Sequence, residues 1–421
     1  MSRAPQTALP GKPARPELPG KLPDDLRAEL ISFRRDLHMH PELGHHEFRT
    51  TAAIKARLEK AGLRPRVLQS GTGLICDVGT WDGVRPMLAL RADIDALPIP
   101  DAKTHVPYRS TVPDRAHACG HDVHTAIVLG AGLVLAELDR QGLLPRPVRL
   151  LFQPAEEVLP GGASEAIESG VLDGVGKIIA VHCDPRVDAG RLGLRAGPIT
   201  SACDRLEVSL SGPGGHTARP HLTTDLVTAA ARIAVDVPAL LTRRMDARSG
   251  MSVTWGRIEA GHACNVIPMH AELSGTVRCL DLNAWYEAPD MIHAAIDEVA
   301  TMHGAKFEIN HVRGVPPVVN DPVVTELLRE AMAARQGAES VEDTEQSLGG
   351  EDFSWYLEHV PGAMARLGVR PPGDTAKRDL HRGDFDVDES AIGYGVEFFT
   401  AAALLDTAAA LLDGRHPETS R

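Results

Sequence analysis

PMLALRADID, residues 86–95, is a short apolar run that closes on two aspartates. Three other stretches share its texture: GLICDVG (73–79), VRLLFQPAEE (148–157) and KIIAVHCD (177–184). A long helix is expected over 123–140, between PMLALRADID and VRLLFQPAEE. Two more are expected upstream. DDLRAELISFRRDLH (24–38) spaces Leu26, Leu30, Phe33 and Leu37 along one face behind Asp24 and Asp25, and TTAAIKARLEKAG (50–62) stops at Gly62. Continuous apolar strands alternating with helices predict an α/β unit with a mostly parallel sheet covered on both faces. Ligands of such sheets gather at the carboxyl ends of the strands. Asp93, Asp95, Glu156, Glu157 and His182 all fall there.

Near residue 197 the pattern changes. RLEVSLSG (205–212) alternates with period two, as a half-exposed strand does. A helix (about 222–244), strands at 252–261 and 270–280, a helix near 284–303 and a strand at 306–314 follow. That order, βαββαβ, predicts a ferredoxin-like α+β domain inserted into the larger one. The expected division is a proline-rich disordered leader (1–22), a catalytic domain (23–198 and 315–421) and an inserted lid or dimerisation domain (199–314).

With 421 residues, 43% hydrophobic and 24% charged, the chain has the composition of a soluble globular protein with room for two domains. A formal net charge of -13 argues against a nucleic-acid partner, because a phosphate backbone needs a basic face. The six cysteines, Cys76, Cys119, Cys183, Cys203, Cys264 and Cys279, are scattered singly. That favours reduced thiols and a cytoplasmic location. The longest apolar run, AIVLGAGLVLAEL (126–138), falls short of the roughly 18 to 20 residues of a membrane span, so no membrane is expected.

HACGHDVH (117–124) raises the question of chemistry. Asp122 is placed to cap a helix starting at Val123, leaving Cys119 and His121 at its N-terminus, where an anion is favoured and a thiol pKa is lowered. Thiolate and imidazole suit zinc and related divalent ions, although a polar loop without chemistry has the same letters. QPAEE (153–157) offers two adjacent glutamates after a buried strand. Metal-assisted hydrolysis has a task for each, one as ligand and one as proton acceptor, whereas a solvated acidic turn has none. His182 and His381 could each be an ordinary structural histidine when taken singly.

Read together, RRDLHMHPELGHHEF, LRADIDALP, HACGHDVH, QPAEE, GGHTARPH, NVIP, GGEDFS and LHRGDFDVDE resemble, in that order, the amidohydrolase branch of the dinuclear metallopeptidase and aminoacylase family. That branch includes hippurate, N-acyl-amino-acid and auxin-conjugate hydrolases, and the resemblance runs from about residue 25 to 410. It implies Cys119, His121, Glu157, His182 and His381 as ligands of two divalent ions, zinc or manganese. It implies Glu156 as the general base that deprotonates a metal-activated water, His216 as the group that stabilises the oxyanion, and Asn265 as a substrate contact. Wider relatives carry a histidine where this chain has Asp93, so Asp93 and Asp95 are expected to support the ligands at most. In some relatives the counterpart of His216 comes from the other subunit of a homodimer. The sequence does not decide which subunit supplies it here.

The resemblance therefore implies a metal-dependent amidohydrolase that cleaves N-acyl amino acids or related conjugates. A dipeptidase or carboxypeptidase would use the same chemistry. A thiol hydrolase with Cys119 as nucleophile leaves Glu156, Glu157, His182 and His381 unexplained. A binding protein without catalysis does not account for Glu156 and His216 being present together.

Overall fold

The computed structural model describes residues 18–159, 161–376 and 378–413. Helices α1 (Asp24–Met39) and α2 (Phe48–Lys60) lead into strands β1 (Arg66–Val67), β2 (Leu74–Val78) and β3 (Met87–Asp93). Then come α3 (His121–Arg140), β4 (Val148–Gln153), α4 (Ala163–Glu168), β5 (Val175–Asp188), β6 (Leu192–Leu194) and β7 (Gly197–Pro198). An insertion follows: β8 (Ala202–Ser211), β9 (Gly215–His216), α5 (Leu226–Arg244), β10 (Ser252–Ala260), β11 (Val266–Ile267), β12 (His270–Cys279), α6 (Leu282–Met302) and β13 (Lys306–Val315). The chain returns through β14 (Val319–Asn320), α7 (Pro322–Gln336), β15 (Val341–Asp343), α8 (Ser354–Leu357), β16 (Gly362–Arg370) and α9 (Ser390–Asp413).

The large sheet has the order β1-β2-β4-β3-β5-β16-β6-β15. Its four central strands, β4, β3, β5 and β16, run parallel. One face packs beneath α1, α3, α7 and α9, and the other beneath α4 and α8. Helix α3 is buried nearly all round, as a core helix should be. By length and composition it could cross a membrane, contrary to the expectation from its longest apolar run, yet 89% of its apolar window is buried inside the protein. Side chains such as Ile127 and Leu129 are fully buried, each worth about 1.5 to 3 kcal/mol. Gly130 permits the close approach of α1 and α9, since a Cβ there would stand 2.5 Å from Leu30 and 2.6 Å from Val396.

The insertion forms a four-stranded antiparallel sheet, β10-β12-β8-β13, with α5 and α6 packed on one face. This is the ferredoxin-like arrangement that the βαββαβ order implies. Asp204 ties the unit together. Its carboxylate accepts from Trp285 Nε1 (3.0 Å) and the Gly314 amide (3.0 Å), and it pairs with His311 Nε2 at 2.9 Å.

Two expectations need correction. The leader was placed at 1–22, and residues 1–17 lie outside the described residues. Residues 18–22, however, belong to the fold: Leu22 is buried, its amide donates to Glu397 (2.9 Å), and Arg335 donates to the Pro19 carbonyl (2.6 Å). Helix α3 starts at His121, two residues early. Gly120 supplies the turn with φ +89°, and Asp122 caps nothing because Arg34 Nε (2.6 Å) and His38 Nδ1 (2.7 Å) hold its carboxylate.

Burial raises the Asp204 carboxyl, but the bonds from His311, Gly314 and Trp285 outweigh it and hold the pKa below the usual range. A depressed carboxyl pKa stabilises the fold fully above the unfolded value of about 3.9, and the benefit is lost as pH falls through the folded value. Asp204→Ala should therefore cost about 3 kcal/mol at pH 7, and the deficit against wild type should shrink on acidification below pH 4. Urea unfolding of both proteins across pH 3–7 checks this.

Candidate metal centre

The segment after β4, the middle of β5 and the loop before α3 converge on one cavity of about 420 Å³. Cys119, Glu156, Glu157, His182 and His381 line it, beside Glu351, Asp352, Arg278 and Arg366. Cys119 Sγ lies 3.4 Å from His182 Nε2, and His381 Nε2 lies 3.4 Å from Glu157 Oε1. His121 Nε2 stands 3.8 Å from Glu157 Oε1 and 3.9 Å from Glu156 Oε2. Three triads, Cys119/His121/His182, Cys119/Glu157/His381 and His121/Glu156/Glu157, each bring their donor atoms within 4.8 Å of one another. Residues scattered over 263 positions, from Cys119 to His381 inclusive, thus meet at one point.

The histidines are oriented by what their other nitrogens touch. His182 Nδ1 donates to the Cys183 carbonyl (2.9 Å), which leaves Nε2 facing Cys119. His121 Nδ1 is paired with Asp95 (3.2 Å), and its Nε2 is buried without a hydrogen-bond partner. Glu157 Oε1 is also buried without a hydrogen-bond partner, His381 being its ion-pair neighbour. His124 differs: its Nε2 accepts the Cys183 amide (2.9 Å) and its Nδ1 donates to Asp93 (2.6 Å), so neither nitrogen is free for a ligand. Cys183 turns to the opposite face of β5 and packs in the main core.

The backbone is held in uncommon conformations where the donors emerge. Ala155 has φ +58° and His381 has φ +59°. Glu47 secures the first by accepting the Ala155 amide at 2.7 Å. Burial, and then Asp95, push the Glu47 carboxyl up to about 7. Beneath the cavity Arg91 is fully buried, donating to Gln153 (2.9 Å), Asp93 (2.7 Å), Glu351 (3.1 Å) and Asp352 (2.9 Å). Sequence reasoning passed over Glu47, Arg91 and Gln153. GHHE, LRADID and QPAEE contain them, but a strand position does not announce its partners.

The electrostatics are those of an anionic cluster. Burial, followed by Glu157 and Glu156, drives the Cys119 thiol well above its ordinary range, opposite to the lowering expected from the helix end. Burial and the nearby carboxylates both favour the neutral thiol, so a thiolate here needs a cation beside it. This counts against Cys119 as a free nucleophile. Burial and the charges of Glu351, Glu157, Asp352 and Asp93 raise Glu156 well above the usual carboxylate range. His121 reaches about 10 because Asp93 and Asp95 overcome its burial, and burial together with Arg366 holds His182 far below 6.5. A mixed sulfur, nitrogen and oxygen donor set with orphaned His121 Nε2 and Glu157 Oε1 suits divalent metal.

His216 and Asn265 are brought together elsewhere. They sit on the exposed β9–β11 ribbon of the insertion, where His216 pairs with Val266 and the Thr217 amide donates to the Asn265 carbonyl (3.2 Å). Neither lines the cavity.

Residues 89–405 match Peptidase family M20/M25/M40. The chain belongs to this peptidase family. A Bacillus subtilis (strain 168) N-acetyl-L-cysteine deacetylase is 39% identical over 385 residues, covering 91% of this chain and 89% of that protein. The crystal structure of a Bacillus subtilis dinuclear metal-binding M20 peptidase superposes with TM-score 0.79 at 34% identity, covering 91% of this chain and 98% of that one. A Rhodococcus jostii (strain RHA1) protein carrying the name glutamate–cysteine ligase 2-3 is 46% identical over 378 residues, 90% of this chain. This M20 chain spans about half (47%) of that protein's length. The M20 chain is a metal-dependent hydrolase of the amidohydrolase type, as its motifs imply.

Gly120→Ala would place a Cβ 2.7 Å from Cys183 Sγ at a positive φ. The expected outcome is a loss of about 2 to 4 kcal/mol in chemical denaturation, with weakened retention of metal measured by elemental analysis.

Proposed function

We propose that this chain cleaves the amide bond of N-acyl amino acids, with Glu156 as general base and Cys119, His121, Glu157, His182 and His381 holding two divalent ions. The observation that carries this reading is the convergence of all six side chains in overlapping donor groups, five of them lining one cavity and His121 joined to them through Cys119, His182, Glu156 and Glu157. When bound, the ions supply Lewis acidity that polarises the amide carbonyl and makes water acidic enough to deprotonate near neutral pH. The thiolate donor leans towards zinc, and the carboxylates leave manganese as the second assignment. Glu156 takes the proton of the attacking water and delivers it to the leaving nitrogen, so that amide and water become carboxylate and amine. The six cysteines are unpaired, which supports a reducing, cytoplasmic setting.

His216 and Asn265 enter this reading through motion or assembly. Their ribbon is exposed and away from the cavity, so we assign them to a homodimer in which one insertion completes the partner's site. There His216 would meet the oxyanion and Asn265 the substrate.

Glu156→Ala should lower kcat by about 10² to 10⁴-fold while retaining metal. Amine release from a panel of N-acyl amino acids and dipeptides, with chelation and metal add-back, tests this. Turnover of dipeptides alone would replace the acyl-amino-acid reading with a peptidase. Unchanged turnover in Glu156→Ala, or indifference to chelation, would sink the mechanism. Mixing inactive Glu156→Ala with inactive His216→Ala should restore activity, because hybrid dimers would contain one intact site. No recovery would place His216 in its own subunit, by closure of the insertion.

A further inference from the structure

The stretch PELGHHE (41–47) supplies no metal donor and no residue of the cavity wall, yet it packs against the segments that follow β3 and β4. Leu43 bridges Ala96, and the Ala96 amide donates to the Glu42 carbonyl (2.8 Å). Glu47 stands at the N-cap of α2, but its side chain caps no amide of that helix. Glu42 takes over the task, accepting the Arg49 (3.0 Å) and Thr50 (2.8 Å) amides. Glu47 is thereby released to reach away from its own helix. Fully buried, it accepts the Ala155 amide at 2.7 Å.

Glu156 needs such support. Among the described residues no hydrogen bond holds its carboxylate, and His121 Nε2 stands 3.9 Å from it. Glu351 and Asp352 bring further negative charge within 4.8 Å. A carboxylate so placed takes the direction that its backbone gives it. That backbone is gripped on both sides: Glu47 accepts the amide of Ala155, and Asp95 accepts the amide of Glu157 (2.9 Å). Between them Ala155 is held at φ +58°, which an alanine adopts only against a clash of its Cβ. The two grips differ in what else they touch. Asp95 also pairs with His121 Nδ1 (3.2 Å), so it serves a metal ligand as well. Among the described residues Glu47 meets this loop only at the Ala155 amide.

We propose that Glu47 is the positioning residue of the general base: by holding the Ala155 amide in its left-handed turn, it aims the Glu156 carboxylate at the attacking water. This rests on the hydrolase reading above, in which Glu156 is that base. Glu47 does not line the cavity, and it moves no proton. Its effect passes through the direction of one peptide. Without the grip, Ala155 would relax towards ordinary backbone and turn the Glu156 side chain with it. A displacement of about 1 Å at a catalytic group costs on the order of 100-fold in rate.

The test measures kcat, KM and bound metal for Glu47→Ala, Glu47→Gln and Glu47→Asp, with an N-acetyl amino acid that metal-loaded wild type turns over. Glu47→Ala should lower kcat by about 10- to 100-fold, with KM within about threefold of wild type and metal content unchanged by elemental analysis. Glutamine keeps the reach to the amide without the charge, and aspartate keeps the charge but stops one methylene short. Glu47→Gln should therefore stay within about fivefold of wild type in kcat, and Glu47→Asp should fall to about the level of Glu47→Ala. This contrast stands even where the alanine variant does not fold. In Glu156→Ala, adding Glu47→Ala should lower the residual rate by less than about twofold, because no base is left to aim. Metal lost in step with kcat, a rise in KM in place of a fall in kcat, Glu47→Asp equal to Glu47→Gln, or the full loss repeated on top of Glu156→Ala would overturn the role of Glu47 alone. A Glu156→Ala enzyme as active as wild type would instead remove the base itself, and the reading on which this role rests.

Discussion

The site depends on the Arg91 guanidinium being buried and fully engaged. A charge in the middle of a central strand is tolerable only when it is paired and hydrogen-bonded. Each of the three Arg91 side-chain nitrogens finds an acceptor, joining β3 to the end of β4 through Gln153 and to the 351–352 loop through Glu351 and Asp352. It also fixes Asp93, which in turn fixes His124, and through the Cys183 amide the middle of β5. The segments that carry Glu156, Glu157 and His182 are thus set by one chain of hydrogen bonds. Such a support lets the donors face one another across short distances although their negative charges repel.

The parallel centre of the sheet was legible because β3, β4 and β5 are continuous apolar runs, as is β2, which pairs antiparallel beside β4, and the insertion because RLEVSLSG alternates with period two. Helix α3 was legible in extent but not in its first turn. Asp122 has the composition of a cap, and only the folded chain shows that Arg34 and His38 claim it. Strand β16 escaped notice for a related reason. Its run, AMARLGV, is broken by Arg366 in the middle, and a charge in an apolar strand obscures the pattern that defines it. The residue that hid the strand also lines the cavity wall, with its Nε buried and without a hydrogen-bond partner among the described residues.

For the site, the residue types at HACGHDVH, QPAEE, His182 and His381 pointed to metal chemistry, and the fold brings them together. The direction of the Cys119 shift could not be read from its neighbours in sequence, since Glu156 and Glu157 arrive from another strand. His216 and Asn265 show a different limit. They are neighbours on one ribbon, as GGHTARPH and NVIP do not reveal, and they lie apart from the cavity that their motifs suggested they serve.

The tie between Glu47 and the Ala155 amide bears on where the working unit begins. The match to the family starts at residue 89, and every proposed ligand lies beyond that point. A fragment cut there would keep all of the donors. It would lose the carboxylate that holds the peptide immediately before Glu156 in its left-handed turn, and α1 with the Arg34 and His38 grip on Asp122. The N-terminal helices are therefore part of the apparatus rather than an appendage, and a minimal version of this protein has to retain them.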